Sequence, residues 1–452
     1  MKSFVITIIC LLSLFLLSGN AKETNPMTEL WKDASFQKEF MATYGTLAGY
    51  EPELKEEEKE TIRTLIKFLK VAPGEAIKQL APQVKKDDSA AFDFILANLY
   101  FQEGQLDQAE TFYNSAIKKY PSFRRAYKNL GLVHVQKSDF KAAIKSLSKS
   151  MELGLVDGRA YGLLGYSYLT EGFYFPAEAA YRQAILMQPE ILDWKLGLAR
   201  CFLEMEQFED AIAIFDTLIL TDPDNEDYWI LQANAFLGLN ESMRAASNLE
   251  IVDRLGSAKL ETLSLLGDIY MNNTMPKLAL RAYLKGTELA TENDLTVLIK
   301  SANALTQTAN FEQAKTLITS IRNRFNDSIS DEQDLKLLTF EAKIARNNGD
   351  NETAADLLVK IIERDVLNGE ALIELANYYV DQGKLPEAYT RYEQAQNISQ
   401  YERAALIAHA QALVKNKQYI EAIPLLDRAL TLKSDNTIKD YKQRVERAAK
   451  AM

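Results

Sequence analysis

From about residue 90 to residue 436, apolar residues recur at spacings of three and four, in short runs separated by polar breaks. That period predicts amphipathic helices, because a half-buried strand would alternate instead. The runs come in pairs, and the pairs repeat. The clearest copy reads Tyr161, Leu164, Gly165, Tyr168, Gly172, Ala177, Tyr181, Ala184 and Pro189. A shift of 34 residues finds Leu198, Ala199, Phe202, Ala211, Phe215 and Pro223. Earlier copies read Tyr127, Leu130, Gly131, Ala143, Leu147 and Leu96, Ala97, Tyr100, Gly104, Ala109, Tyr113, Ala116, Pro121. Later copies centre on the pairs Ala233/Ala245, Gly267/Ala279, Ala302/Ala314, Ala342/Ala354, Ala376/Ala388 and Ala410/Ala422, which makes ten units. The register slips by one residue near Asn293 and by six around Ile329 to Asp334, where a longer loop and a hinge are expected. A small residue in the first helix and an Ala in the second let two backbones approach. The aromatic four positions after that Ala fills the gap to the next unit, and Pro stops the second helix. One such unit cannot bury its apolar face alone, so neighbours must stack.

The flanks do not follow the period. Lys2 precedes an apolar run from Phe4 to Leu17, which ends at Ser18, Gly19, Asn20 and Ala21 before charged Lys22 and Glu23. A basic start, a short apolar core and small residues at a cleavage position describe a secretory signal peptide over 1–21. A retained membrane anchor is the alternative, against which the run is shorter than the roughly 20 residues that span a bilayer. Over 22–89, Trp31, Phe36, Phe40, Tyr44 and Leu47 share one helical face. They read as an N-terminal helical cap or as a face for docking a partner. Glu56, Glu57, Glu58 and Glu60 open a helix that continues through Ile62, Leu65, Ile66 and Leu69, since acids in a first turn complement the helix dipole. Pro73 and Gly74 are expected to turn the chain into a further helix, Glu75 to Val84. The repeat array covers 90–436. Residues 437–452, with Lys439, Lys442, Arg444 and Arg447, are expected to form a capping helix.

Composition agrees with a helical chain. Of 452 residues, 47% are hydrophobic and 25% charged, and Gly (19) and Pro (11) are sparse for a turn-rich β protein. The net charge of −11 argues against nucleic acid as a partner, which calls for a basic face. Two cysteines cannot make a disulfide framework. His134 and His409 fall on inward positions of first helices, eight units apart, and read as core residues. Cys201 reads as a buried inert thiol. No phosphate-binding glycine loop, nucleophile elbow or zinc spacing occurs. No enzyme activity, cofactor or metal is therefore expected, and no stable transmembrane segment once the signal is removed.

The spaced positions resemble the tetratricopeptide (TPR) repeat. That resemblance implies an all-α superhelical solenoid whose first helices line a concave groove. The position after the small Gly/Ala of the first helix then faces the groove. It is Asn98, Asn234, Asn303 and Asn377, with Arg200, Lys343 and Gln411 in other copies. A recurrent Asn there is similar to the amide ladder by which several TPR proteins hold extended peptides, because an amide offers both a donor and an acceptor. The alternative is a tolerated polar residue on a wet face. Some TPR domains clamp a C-terminal carboxylate, and Asn98, Asn129 and Arg159 occupy three of the five clamp positions, whereas Phe94 and Leu163 stand where two bases would be. Arg125 and Lys128 lie close by, so a solvent-facing basic floor for an acidic partner segment is expected under the first three repeats. The stretches 124–131 (RRAYKNLG) and 193–200 (DWKLGLAR) resemble periplasmic TPR proteins of TonB/ExbB/ExbD energy-transduction systems. The resemblance implies a periplasmic protein-interaction scaffold, with TonB-type components as partners. An envelope-assembly factor for polysaccharide export or cell-wall enzymes is the alternative.

Overall fold

The computed structural model describes residues 51–69 and 72–451. The signal-peptide segment and the aromatic face from Trp31 to Leu47 lie outside the described residues. Among the described residues there are twenty-three α-helices, three short 3-10 turns and no strand. The chain divides into two compact units between Ser257 and Ala258.

In the first unit, α1 (Glu56–Leu69) and α2 (Pro73–Leu80) precede five helix pairs. The pairs are α3 (Ala90–Gln102) with α4 (Leu106–Lys119), α5 (Arg124–Gln136) with α6 (Phe140–Glu152), α7 (Gly158–Thr170) with α8 (Tyr174–Met187), α9 (Leu192–Glu204) with α10 (Phe208–Thr221), and α11 (Glu226–Gly238) with α12 (Ser242–Leu255). Pro73 does not end in a turn as expected. It is the first residue of α2, where its missing N–H is no loss and its fixed φ suits the helix.

The second unit holds five more pairs: α13 (Leu260–Asn272) with α14 (Pro276–Leu289), α15 (Leu295–Gln307) with α16 (Phe311–Phe325), α17 (Asp331–Asn347) with α18 (Asn351–Arg364), α19 (Gly369–Asp381) with α20 (Leu385–Gln396), and α21 (Glu402–Lys415) with α22 (Tyr419–Leu432). A final helix, α23 (Asn436–Lys450), lays Val445 onto the α21–α22 core.

Each pair turns through one residue in the left-handed region. These are Gly104, Ser138, Gly172, Glu206, Asn240, Thr274, Ala309, Gly349, Gly383 and Lys417, with φ between 57° and 78°. They step by 34 residues except across the two register slips, so one backbone geometry recurs whether or not glycine supplies it. The expectation of a longer loop at Ile329–Asp334 is corrected. The extra residues go mainly into α17, which has 17 residues and opens on a Ser330/Gln333 capping box. Arg322 locks the junction: its Nε and Nη2 donate to the two oxygens of Glu341 at 2.6 and 3.0 Å, and its Nη1 donates to Asp334 Oδ1 at 2.7 Å. Arg364 bonds the other oxygen of Asp334.

The small residues explain themselves by contact. A Cβ on Gly165 would lie 2.9 Å from the Tyr181 ring, and one on Gly197 would lie 2.3 Å from the same ring. Tyr181 therefore fills the space between consecutive first helices, which is the role its position predicts. The second-helix alanines Ala109, Ala143, Ala177, Ala211 and Ala245 are fully buried.

Candidate functional site: the first-helix faces

The ladder position follows the small residue of each first helix, so its side chain stands at the edge of close helix packing. Whether it is available depends on the residue 15 positions later, on the second helix of the same pair. In three repeats that residue is a Tyr whose hydroxyl reaches back. Tyr113 donates to Asn98 Oδ1 at 2.6 Å, Tyr283 donates to Asp268 Oδ1 at 2.6 Å, and Tyr392 donates to Asn377 Oδ1. Where it is Phe215, Leu249 or Ile318, no hydroxyl is offered to Arg200, Asn234 or Asn303. Asn234 is half-buried, and its Oδ1 has no hydrogen-bond partner. Asn303 is half-buried and accepts from Gln307 on its own helix at 3.2 Å. Arg200 is half-buried, and Asn377 is exposed.

The expected solvent-facing floor of repeats one to three is corrected in detail. Asn98 and Asn129 are both 0% exposed, and Asn129 Nδ2 donates to Asn98 Oδ1 at 2.9 Å. The two amides bond each other and Tyr113, leaving Asn98 Nδ2 and Asn129 Oδ1 without hydrogen-bond partners. Arg125 and Arg159 are each 9% exposed rather than facing solvent. Arg125 makes a two-pronged pair with Glu51, with Nε donating to Oε1 at 2.6 Å and Nη2 to Oε2. Lys128 donates to Asp157 Oδ2 at 2.9 Å. Asp157 also caps α7 by accepting from the Ala160 N–H at 2.8 Å. Burial opposes ionisation of Asp157, but Lys128 and the Ala160 N–H together hold its carboxyl below the usual value. Arg125 and Lys128 are thus drawn into the fold by acids of the same chain.

Sequence reasoning missed two of these residues. Asp268 stands one repeat after Asn234 on the same ladder, and its 34-residue offset was the available signal. Glu51 carries no periodic signal, because it precedes the array and pairs across 74 positions of sequence.

The other candidates are core residues. His134 is buried, with Nδ1 at 3.2 Å from Ser146 Oγ. His409 is buried between the rings of Tyr389 and Tyr392, at centroid distances of 4.8 and 5.2 Å, and burial lowers its pKa. Cys201 is 0% exposed, and burial pushes its thiol up to about 12. Among the described residues no group of three His, Cys, Asp or Glu could hold a metal ion, and no helix is long and apolar enough to cross a membrane.

Comparison with known proteins agrees with this architecture. Family models described as tetratricopeptide repeat match residues 74–122, 94–154 and 341–402, residues 158–191, and residues 176–235. The Arabidopsis thaliana protein SULFUR DEFICIENCY-INDUCED 1 is 24% identical over 196 residues, covering 43% of this chain; the match spans 58% of that relative's own length. The Gallus gallus DnaJ homolog subfamily C member 3 is 23% identical over 371 residues, covering 75% of this chain and 73% of that one. A crystal structure of YrrB, described as a TPR protein with an unusual peptide-binding site, has a TM-score of 0.39 at 20% identity, covering 42% of this chain and 96% of that one. The described residues form a solenoid of paired helices, and within it residues 74–154, 158–235 and 341–402 match tetratricopeptide repeat models.

Proposed function

We propose that the chain is a non-enzymatic interaction scaffold that holds extended segments of partner proteins on its first-helix faces. The observation that carries the reading is the split of the ladder. Polar groups of repeats one, six and nine are tied back by tyrosines, whereas Arg200, Asn234 and Asn303 meet second helices that offer no hydroxyl. These three side chains are half-buried, so they keep polar surface that a partner's backbone groups can bond. Arg200 and Asn234, in adjacent repeats of the first unit, form the principal contact. The test is a double variant, Arg200→Ala with Asn234→Ala, measured against the protein that crosslinks to the wild-type chain. Affinity should fall by roughly tenfold for two hydrogen bonds of ordinary strength, while Lys145→Ala, exposed on second helix α6, leaves it unchanged. Equal affinity of the double variant and the wild type sinks the reading.

The setting belongs to the same proposal. A periplasmic location rests on the Lys2 to Ala21 pattern, and N-terminal sequencing of the mature protein should begin at or near Lys22. A role accessory to TonB-dependent transport rests on the resemblance of residues 124–131 and 193–200 alone. The alternative setting is envelope assembly, and the identity of the crosslinked partner decides between them.

A further inference from the structure

The first-helix face is covered in repeats two and three and open beyond them. The second residue of the first helix is buried at Arg125 and Arg159 but exposed at Asp193 and Asp227 later in the same unit. Over Arg125 the cover is the chain itself. Glu51 is 5% exposed, and both its carboxylate oxygens are on the Arg125 guanidinium, which lies 5.4 Å from the Phe94 ring centroid. The segment is pinned again seven residues on. Glu58, 6% exposed, accepts from Ser89 N at 2.7 Å and from Ser89 Oγ at 2.5 Å, and its second oxygen also takes the Lys55 N–H at 2.8 Å. Ser89 is the N-cap of α3, so this anchor sits at the start of the first repeat. Between the anchors, Leu54 packs on the core formed by α2 and α3.

Beside Arg125 lies the Asn98–Asn129 pair, wholly buried, with one free donor and one free acceptor. A buried unpaired donor and acceptor next to a guanidinium is an arrangement suited to an acidic peptide: a carboxylate for Arg125, and a backbone C=O and N–H for the two amides. A staple alone has no use for those two unmet atoms, whereas a bound backbone would satisfy both.

We propose that residues 51–58 are an internal occupant of this acid-binding floor, and that an acidic partner segment binds repeats one to three only by displacing Glu51 from Arg125. This rests on the reading of the first-helix faces as segment-holding surfaces. The floor is then self-occupied, and its affinity for an acid in trans is lowered by the fraction of time Glu51 is in place. Release of the segment opens it.

The test uses the full chain and a fluorescent peptide of its own residues 48–58 (AGYEPELKEEE) as the acid in trans, read by anisotropy at low salt. The Glu51→Ala chain should bind this peptide at least about tenfold more tightly than the wild type, as the internal competitor is lost. Adding Arg125→Ala should remove that gain, and so should a peptide whose Glu51 equivalent is Gln. Should Glu51→Ala not fold, as judged by circular dichroism, Glu51→Gln is read in its place, since it keeps the side-chain volume and deletes the charge. Equal binding to wild type and variant, no binding to either, or binding indifferent to Arg125→Ala overturns the proposal. The Arg200/Asn234 contact lies outside this floor, so its assay stands or falls separately.

Discussion

Two glycines of one repeat give the sharpest test of the packing. Gly267 lies in first helix α13 and Gly286 in second helix α14. Replacing either by Ala removes a helix-interior glycine and gains about 0.8–1.0 kcal/mol of helix propensity. Their surroundings then set the sign. A Cβ on Gly267 would stand 2.2 Å from Tyr283 Cε1, 2.6 Å from Cδ1 and 2.7 Å from Cζ, whereas ordinary contact begins at 3.4 Å. The ring cannot retreat, because it is 1% exposed and its hydroxyl is held by Asp268 at 2.6 Å. Overpacking of this kind costs about 1–3 kcal/mol, and a pinned ring puts it in the upper half of that range. Gly267→Ala should therefore destabilise by about 1–2 kcal/mol net. A Cβ on Gly286 meets Leu260 Cδ1 at 3.0 Å and Leu263 Cβ at 3.7 Å, and a leucine methyl can swing aside. Gly286→Ala should be neutral or stabilising by up to about 1 kcal/mol. Repeats open locally rather than all together, so the assay is hydrogen exchange of α13 and α14 amides. The two variants should differ in opening equilibrium by roughly 5- to 150-fold. Slower exchange in Gly267→Ala than in Gly286→Ala would refute the claim that ring packing dictates the small residue.

The left-handed turn at Thr274 (φ 59°) is occupied by a β-branched residue; Thr274→Gly should relieve about 1–2 kcal/mol of strain, less the unfolded-state entropy of glycine, and raise stability by about 0.5–1 kcal/mol in urea unfolding. Tyr113→Phe should cost about 1–3 kcal/mol, because it strips a bond from fully buried Asn98, whereas Tyr392→Phe should cost about 0.5 kcal/mol or less, because exposed Asn377 recovers its bond from water; equal costs would contradict this. Burial raises the pKa of Asp268 against the pull of the Tyr283 hydroxyl and Lys300, so the stability it lends is full at a pH below its unfolded value near 4 and is lost as pH rises through its raised folded value. Asp268→Asn, neutral throughout and still able to accept from Tyr283, should gain stability relative to wild type as pH goes from about 3.5 to 7, and a difference that stays constant with pH argues against it. Cys201 should resist a thiol reagent at pH 8 until the protein is unfolded, its thiol being buried and held up to about 12.

The repeat was legible because each unit must solve the same packing problem, and the solution leaves small and aromatic residues at fixed offsets. Tyr181 against Gly165 and Gly197 is that solution seen in contact. The turn residue was less legible. Gly104 and Gly172 mark it, but Ser138, Glu206 and Lys417 take the same conformation, since neighbouring helices enforce what local preference does not. The insertion at Ile329–Asp334 misled for a related reason. Six extra residues suggested slack, yet helix extension satisfies their backbone groups, and Arg322 with Arg364 pairs Asp334 at their end. The ion pairs of the floor were beyond the sequence altogether. Periodicity says which face a residue takes, but it is silent on which distant acid will claim Arg125 or Lys128.

The candidate site shows why a groove-facing residue is not by that fact an available one. An amide at the ladder position can serve the fold or a ligand, and the second helix decides which. Tyr113, Tyr283 and Tyr392 each add one hydroxyl at the right height, and Asn98, Asp268 and Asn377 accept it. Phe215, Leu249 and Ile318 fill the same space equally well, being 0%, 0% and 2% exposed, so packing alone does not require the hydroxyl. Its presence or absence therefore changes the chemistry of the face without changing the stacking. In repeats four, five and seven no second-helix hydroxyl claims the polar group, Asn303 is bonded only by exposed Gln307 of its own helix, and bonds at such half-buried side chains are the ones a partner can exchange at small cost. The repeats whose second helices carry no tyrosine at that position are where a partner has most to gain, and Arg200 with Asn234 is such an adjacent pair within the first unit.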